Sequence, residues 1–175
     1  EAWLASLASA LASGVRCVQL RAPGVDALRW AGLAARAVAL CRGAKAEVLV
    51  NGDIALASQL GIGVHLRSAQ LRDAGAVDAL AATRSGGNRI GASCHDALDL
   101  RHAEAAGCDF AVLGPVRPTA SHPGQAGIGW DAFALLREQV SLPIYAIGGL
   151  SPSDIADARA HGGQGVAAIR GLWGA

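Results

Sequence analysis

The chain has 175 residues, of which 52% are hydrophobic and only 4% aromatic, and its formal net charge is +1. This length suits one domain with a sizeable core and is short for two, so we treat residues 1–175 as a single domain. The near-zero net charge excludes a strongly basic nucleic-acid-binding protein and gives no reason to expect an anionic membrane as partner. No apolar run reaches the ~18–20 residues that a membrane-spanning helix needs.

The cysteines and the N-terminus point to a cytoplasmic protein. Cys17, Cys41, Cys94 and Cys108 form no CxxC pair, so we expect free thiols and no disulfide or metal cluster. No basic segment precedes the first apolar helix, as it would in a signal peptide. Because the chain begins at Glu1 without Met, we expect a fragment of a longer protein.

Helical and strand segments alternate along the chain. A helix over residues 1–13 comes first, and the predicted strands follow at 15–20, 47–51, 63–66, 89–93, 109–116, 143–149 and 165–169. The helices between them are predicted at 26–42, 53–60, 76–84, 96–106, 130–139 and 152–161, with Asp26 and Ser151 as N-caps. Short apolar strands that alternate with amphipathic helices predict a parallel sheet covered by helices.

Such a sheet either stays open and doubly wound or closes into a (β/α)8 barrel. No GxGxxG motif follows the first strand, which weakens the dinucleotide-binding alternative, and we predict an α/β fold of the TIM-barrel class. Because the chain starts with a helix, only seven strands are visible. We expect the first strand of the barrel to lie upstream of Glu1.

In a parallel barrel the functional groups lie at the carboxyl ends of the strands. The candidate residues that follow the predicted strands are Gln19, Arg21, Asn51, Asp53, His65, Arg67, Ser93, His95, Thr119, Ser121, His122, Gly148, Gly149 and Arg170.

The last two strand ends have the composition of a phosphate site. Gly148 and Gly149 would let backbone N–H groups approach an anion, and Arg170 would add a charged fork after the final strand. Alternatively, the glycines only permit tight turns and Arg170 faces solvent. His65 and His95 could act as general bases or could orient loops through backbone hydrogen bonds. No histidine spacing suits a zinc site.

The order of these segments resembles that of thiamine phosphate synthase and its TenI-like relatives. The segments that carry the resemblance are VQLR (18–21), VNGD (50–53), GVHL (63–66), GASCH (91–95), DFAVLGPVRPTASH (109–122), LPIYAIGGL (142–150) and GVAAIRGLW (165–173). The residues of the later segments are most similar to those of barrels fused behind a Nudix hydrolase domain. The resemblance therefore implies a barrel of this family, with a covalently fused Nudix domain as a possible partner.

The synthase joins a hydroxymethylpyrimidine diphosphate to a thiazole phosphate and releases pyrophosphate, which makes a small phosphorylated ligand the expected partner. The resemblance implies that Gln19 and Asn51 contact substrate, and His95, at the end of the fourth strand, is a further candidate for substrate contact. The resemblance also implies catalytic roles for Arg21, Ser93 and His122. Thiazole phosphate would be held by Thr119, Ser121, Gly148 and Gly149, which match the pattern, and by Arg170, which stands where the family has a serine.

Several charged groups of the family pattern are replaced here. Pro23 and His122 stand where the pattern has lysines, while Gly52 and Gln70 stand where it has metal-binding aspartates. If the protein is catalytic, the resemblance implies Mg²⁺ as cofactor, with Asp53 as a weak ligand one residue out of register.

Three functions stay open at this point. The first is thiamine phosphate synthesis. The second is non-catalytic binding of thiazole phosphate or thiamine phosphate for an attached Nudix domain. The third is a TenI-type thiazole isomerase, for which Pro115 stands where the basic histidine belongs, so that His122 or His95 would have to substitute.

Overall fold

The fold is an α/β arrangement of seven parallel strands and nine α-helices over the part of the chain that the computed structural model describes, residues 2–119, 124 and 126–173. The strands are β1 (Cys17–Leu20), β2 (Glu47–Asn51), β3 (Gly63–Leu66), β4 (Ile90–Cys94), β5 (Phe110–Leu113), β6 (Ile144–Ile147) and β7 (Gly165–Ala167). All seven predicted strands are confirmed, most of them shorter than predicted.

The helices connect consecutive strands on the outside of the sheet. They are α1 (Ala2–Ala12), α2 (Ala27–Gly43), α3 (Ile54–Leu60), α4 (Ala74–Asp78), α5 (Ala81–Ser85), α6 (Ala97–Ala105), α7 (Gly129–Arg137), α8 (Ile155–Ala160) and α9 (Arg170–Trp173), with 3₁₀ turns at Ser68–Arg72 and Pro152–Asp154. Within the described ranges, none of these helices has the length and apolarity to cross a bilayer.

Local capping explains where several helices begin. Asp26 caps α2 by accepting a hydrogen bond from the Arg29 N–H at 3.0 Å, as predicted. The segment predicted as one helix over 76–84 forms two short helices. The Asp73 carboxylate caps α4 by accepting from the Gly75 N–H at 3.0 Å, and a separate helix, α5, starts after Leu80. The segment predicted as a helix over 152–161 begins as a 3₁₀ turn before α8.

The strands pair in chain order, β1-β2-β3-β4-β5-β6-β7, and every pairing is parallel. Among the described strands, β1 and β7 each have one neighbour, so the sheet forms an open, TIM-like partial barrel. The seven parallel strands and the TIM-like class agree with the prediction, and a closed (β/α)8 barrel would need a further strand between β1 and β7. On the outside, α1 contacts α9.

Alternation along the strands separates two hydrophobic clusters. Outward-facing side chains such as Val50, Val64 and Leu113 are fully buried beneath the helices in the main core. Inward-facing side chains form a smaller cluster inside the partial barrel, made of Leu49, Phe110, Val112, Tyr145, Ile147 and Ala167. The predicted free thiols are confirmed: Cys17 is exposed, and the other three cysteines are buried in the main core.

Gly91 is one position where the interior leaves no space for a side chain. A Cβ there would lie 2.5 Å from Phe110 Cζ and 2.7 Å from His65 Nδ1. We expect Gly91→Ala to lower the free energy of unfolding by about 1–3 kcal/mol through overpacking. The matched control is Gly32→Ala in α2, where the added methyl group meets nothing within 4 Å and should raise stability by about 0.5–1 kcal/mol. Urea denaturation measures both, and equal stability of Gly91→Ala and wild type would contradict this packing.

Candidate functional site

Four polar side chains lie side by side on the inner face of β1 to β4, at the carboxyl end of the sheet. We call Gln19, Asn51, His65 and Ser93 the inner polar row. The Gln19 Nε2 donates to Asn51 Oδ1 at 3.4 Å, and Asn51 pairs in register with His65 on the next strand. His65 Nε2 lies 3.0 Å from Ser93 Oγ. Parallel register therefore joins four separate segments into one continuous polar surface.

His65 is the deepest member of this row. Its side chain is 3% exposed, and its ring lies 5.9 Å from the ring of Phe110, between centroids. Burial disfavours the charged imidazolium and lowers the pKa of His65 from 6.5 to about 4. The ring is therefore neutral near pH 7. It can exchange a hydrogen bond with Ser93 without placing a charge inside the barrel.

His95 ties the end of β4 to the end of β5. Its Nδ1 lies 2.8 Å from the Gly114 carbonyl oxygen, which can only accept, so Nδ1 carries a proton and donates. The His95 backbone N–H donates to Asp99 Oδ2 at 3.1 Å, and this buried carboxylate also pairs with Arg72 at 3.0 Å. The geometry supports the loop-orienting alternative for His95.

Gly148 and Gly149 let the loop after β5 approach the end of β6. Both have positive φ, +102° and +65°, and a Cβ on Gly148 would lie 2.5 Å from Pro115. The Val116 N–H donates to the Ile147 carbonyl at 2.8 Å, and the Arg117 N–H donates to the Gly148 carbonyl at 3.0 Å. Close backbone packing is thus one established reason for glycine at these positions.

An ion pair holds the same two loops together. Arg117 on the β5 loop contacts Asp154 Oδ1 at 2.8 Å, and Asp154 accepts from the Ser151 N–H at 2.8 Å. The Ser151 backbone hydrogen bond, with further help from the Ser151 hydroxyl and Arg117, lowers the pKa of Asp154. Arg117 is a site residue that the sequence does not reveal, since nothing local in the chain indicates its partner.

Unpaired backbone donors follow β6 and β7. Among the described residues, the N–H groups of Gly149 and Leu150 form no hydrogen bond, and neither do those of Ala168 and Ile169. These four donors come directly after neighbouring strands, at the carboxyl end of the sheet. Backbone N–H groups at this end of a parallel barrel can donate hydrogen bonds to a bound anion.

Arg67, Gln70 and Gly52 form a second polar cluster, at the ends of β2 and β3, which we call the arginine corner. Gln70 Nε2 donates to the Gly52 carbonyl at 2.9 Å, while its Oε1 accepts from the Arg67 backbone N–H at 3.1 Å and from Arg67 Nε at 3.3 Å. Arg67 is exposed and directly follows β3, so its charge lies at the carboxyl end of the sheet.

The comparisons with known proteins agree on one family. The family model described as thiamine monophosphate synthase matches residues 1–172. The thiamine-phosphate synthase of Thioalkalivibrio sulfidiphilus is 35% identical over 168 residues, which cover 93% of this chain and 76% of that protein. That of Thiobacillus denitrificans is 32% identical over 177 residues, covering 100% and 82%. The chain belongs to the thiamine monophosphate synthase family.

Solved structures agree on the fold. Thiamine phosphate pyrophosphorylase from Pyrococcus furiosus has a TM-score of 0.78 at 24% identity, over 95% of this chain and 78% of that one. A 3-hexulose-6-phosphate synthase has a TM-score of 0.73 at 16% identity, over 96% and 83%. The family match leaves only residues 173–175 of this chain unmatched, so the predicted Nudix partner has no counterpart within it.

The structure brings part of the predicted thiamine phosphate synthase site together. Gln19, Asn51 and Ser93 lie in the inner polar row. Arg21 is exposed just after β1, and Thr119 is half-buried in the loop after β5. Two further predictions, Ser121 and His122, lie outside the described residues. The backbone of Arg170 begins α9.

The residues present do not fit the Mg²⁺ ion that the resemblance implies. In the described part of the chain, no three His, Cys, Asp or Glu side chains are grouped so that they could hold a metal. Asp53, predicted as a weak ligand, caps α3 by accepting from the Leu56 N–H at 2.9 Å. Positions 52 and 70 offer a glycine and an amide beside the Arg67 guanidinium, which would repel a cation.

The depressed pKa of His65 predicts a loss of stability in acid. Because the folded state takes up its proton only near pH 4 and the unfolded state near 6.5, the contribution is complete above pH 6.5 and is lost as the pH falls towards 4. The full effect is about 3 kcal/mol. Urea denaturation between pH 7 and 4.5 should show His65→Gln losing less stability than wild type. The control His161→Gln, on the exterior beside Trp130, should keep the wild-type slope. An NMR titration of the His65 ring near pH 6.5 would contradict the assignment.

Proposed function

We propose that this protein catalyses the thiamine phosphate synthase reaction at the carboxyl end of its partial barrel, joining a hydroxymethylpyrimidine diphosphate to a thiazole phosphate and releasing pyrophosphate. The main observation that supports this proposal is the inner polar row, in which the side chains of Gln19 and Asn51 are hydrogen-bonded across neighbouring strands. Family membership and the names of the relatives support the same reaction.

The polar row suits a neutral heteroaromatic ring. The amides of Gln19 and Asn51 provide both donors and acceptors, as pairing with ring nitrogens and an amino substituent requires. His65 stays uncharged beneath them and holds the Ser93 hydroxyl at 3.0 Å. Arg21, exposed after β1, would add positive charge where the diphosphate leaves.

The other end of the opening suits a phosphate. The N–H groups of Gly149, Leu150, Ala168 and Ile169, which form no hydrogen bond within the described part of the chain, support a thiazole phosphate site between the β6 and β7 loops. The hydroxyls of Thr119 and Ser121 and the side chains of His122 and Arg170 stay predictions for this site. So does a catalytic role for His122.

A second candidate is a non-catalytic module that binds thiazole phosphate or thiamine phosphate. The observation that favours it is the absence of carboxylates at positions 52 and 70. An attached Nudix domain and a cytoplasmic location stay predictions in both cases. The isomerase alternative that uses His95 loses support because Nδ1 of that ring is engaged with the Gly114 carbonyl, while the version that uses His122 stays a prediction.

Turnover with both substrates distinguishes these functions. We expect formation of thiamine phosphate with stoichiometric pyrophosphate release, and we expect Asn51→Ala to lower kcat/KM by roughly 10- to 100-fold through loss of a substrate hydrogen bond. The matched control is Asn88→Ala, a half-buried asparagine at the amino end of β4. Chromatography of the products measures the rate. Thermal stabilisation by thiamine phosphate without any turnover would support the binding module and exclude the synthase.

A further inference from the structure

The arginine corner holds a guanidinium in space that a side chain at position 52 would fill. A Cβ on Gly52 would lie 2.6 Å from Arg67 Nε and 3.0 Å from Gln70 Oε1. Gly52 also has φ +70°, a conformation that side chains other than glycine rarely adopt. Glycine at 52 and arginine at 67 are therefore structurally coupled, since any side chain at 52 would displace the guanidinium.

Gln70 connects this guanidinium to the backbone at position 52. Its Oε1 accepts from the Arg67 backbone N–H and from Nε, while its Nε2 donates to the Gly52 carbonyl. The Gln70 amide thus makes three hydrogen bonds, and the Arg67 guanidinium is held by Gln70 through Nε alone. Among the described residues, neither terminal nitrogen of Arg67 forms a hydrogen bond. These two nitrogens form the fork with which arginine binds phosphate oxygens.

The corner adjoins the inner polar row. Gly52 directly follows Asn51, and the Gly52 N–H donates to the His65 carbonyl at 2.8 Å. Asp53, the next residue, directs its Oδ1 to the Leu56 N–H at the start of α3. The corner therefore presents a fixed positive charge next to the surface where we place the pyrimidine.

We propose that Arg67 binds the diphosphate group directly and does so without a divalent metal ion. The proposal rests on the proposed function only for the identity of the ligand, the diphosphate of the pyrimidine substrate. A guanidinium held beside the polar row neutralises phosphate charge as a metal would, and it needs no carboxylates to hold it. Gly52 and Gln70 stand where the family pattern has carboxylates, and both contact Arg67. The loss of the carboxylates and the placement of the guanidinium are therefore linked.

Calorimetric titration with inorganic pyrophosphate tests the proposal on the whole chain. We expect binding in EDTA, no tighter binding in MgCl₂, and weakening as ionic strength rises. Arg67→Gln should weaken binding roughly 10- to 100-fold, as loss of charge-assisted hydrogen bonds does, and Arg67→Lys should fall between the two. Gln70→Glu should also weaken it, because the new carboxylate would neutralise Arg67.

The matched control is Arg101→Gln, since Arg101 is likewise exposed and likewise donates to a glutamine, Gln139, at 3.1 Å. It should bind pyrophosphate as wild type does. Binding that requires Mg²⁺, no binding in EDTA, or equal affinity of Arg67→Gln and wild type would each overturn the proposal.

The turnover assay separates this inference from the proposed function. Turnover that strictly requires Mg²⁺ would support the synthase function and contradict the metal-independent role of Arg67. Pyrophosphate binding in EDTA that depends on Arg67, with no turnover, would sustain the role of Arg67 and exclude the synthase.

Discussion

The parallel pairing of seven strands in chain order is the constraint on which the site depends. Because every strand runs in the same direction, every carboxyl end lies at one rim, and neighbours in sequence become neighbours in space. Side chains alternate between the outer core and the interior, so Gln19, Asn51, His65 and Ser93 face inward together. A shift of one residue in any pairing would turn that strand's polar group into the outer apolar core.

The loops above this rim are connected in pairs. Gln70 joins the β3 loop to Gly52, His95 joins the end of β4 to Gly114, and an ion pair between Arg117 and Asp154 joins the β5 and β6 loops. Such cross-connections reduce the conformational freedom that a ligand would otherwise have to restrict on binding. The polar residues that surround the opening therefore serve two purposes, since some face the ligand region and others hold those residues in place.

Three glycines show how an absent side chain determines what a neighbour can do. Gly91 makes room for the rings of His65 and Phe110, and Gly148 lets the β5 loop contact the end of β6. Gly52 makes room for the Arg67 guanidinium. In each case the space opened by a missing Cβ is filled by a group from a distant part of the chain, which a local reading of glycine as a turn residue does not reveal.

The sequence by itself determined the element order, the parallel class of the sheet, the N-cap of α2 and the set of polar residues at the strand ends, because periodicity and capping are local properties. It also led to the family through the order of its segments. Only the tertiary structure decided that His65 is neutral beside Ser93, that Arg117 pairs with Asp154, and that Arg67 lies against Gly52. Those outcomes depend on burial and on contacts between segments far apart in the chain, and neither follows from the spacing of residues along it.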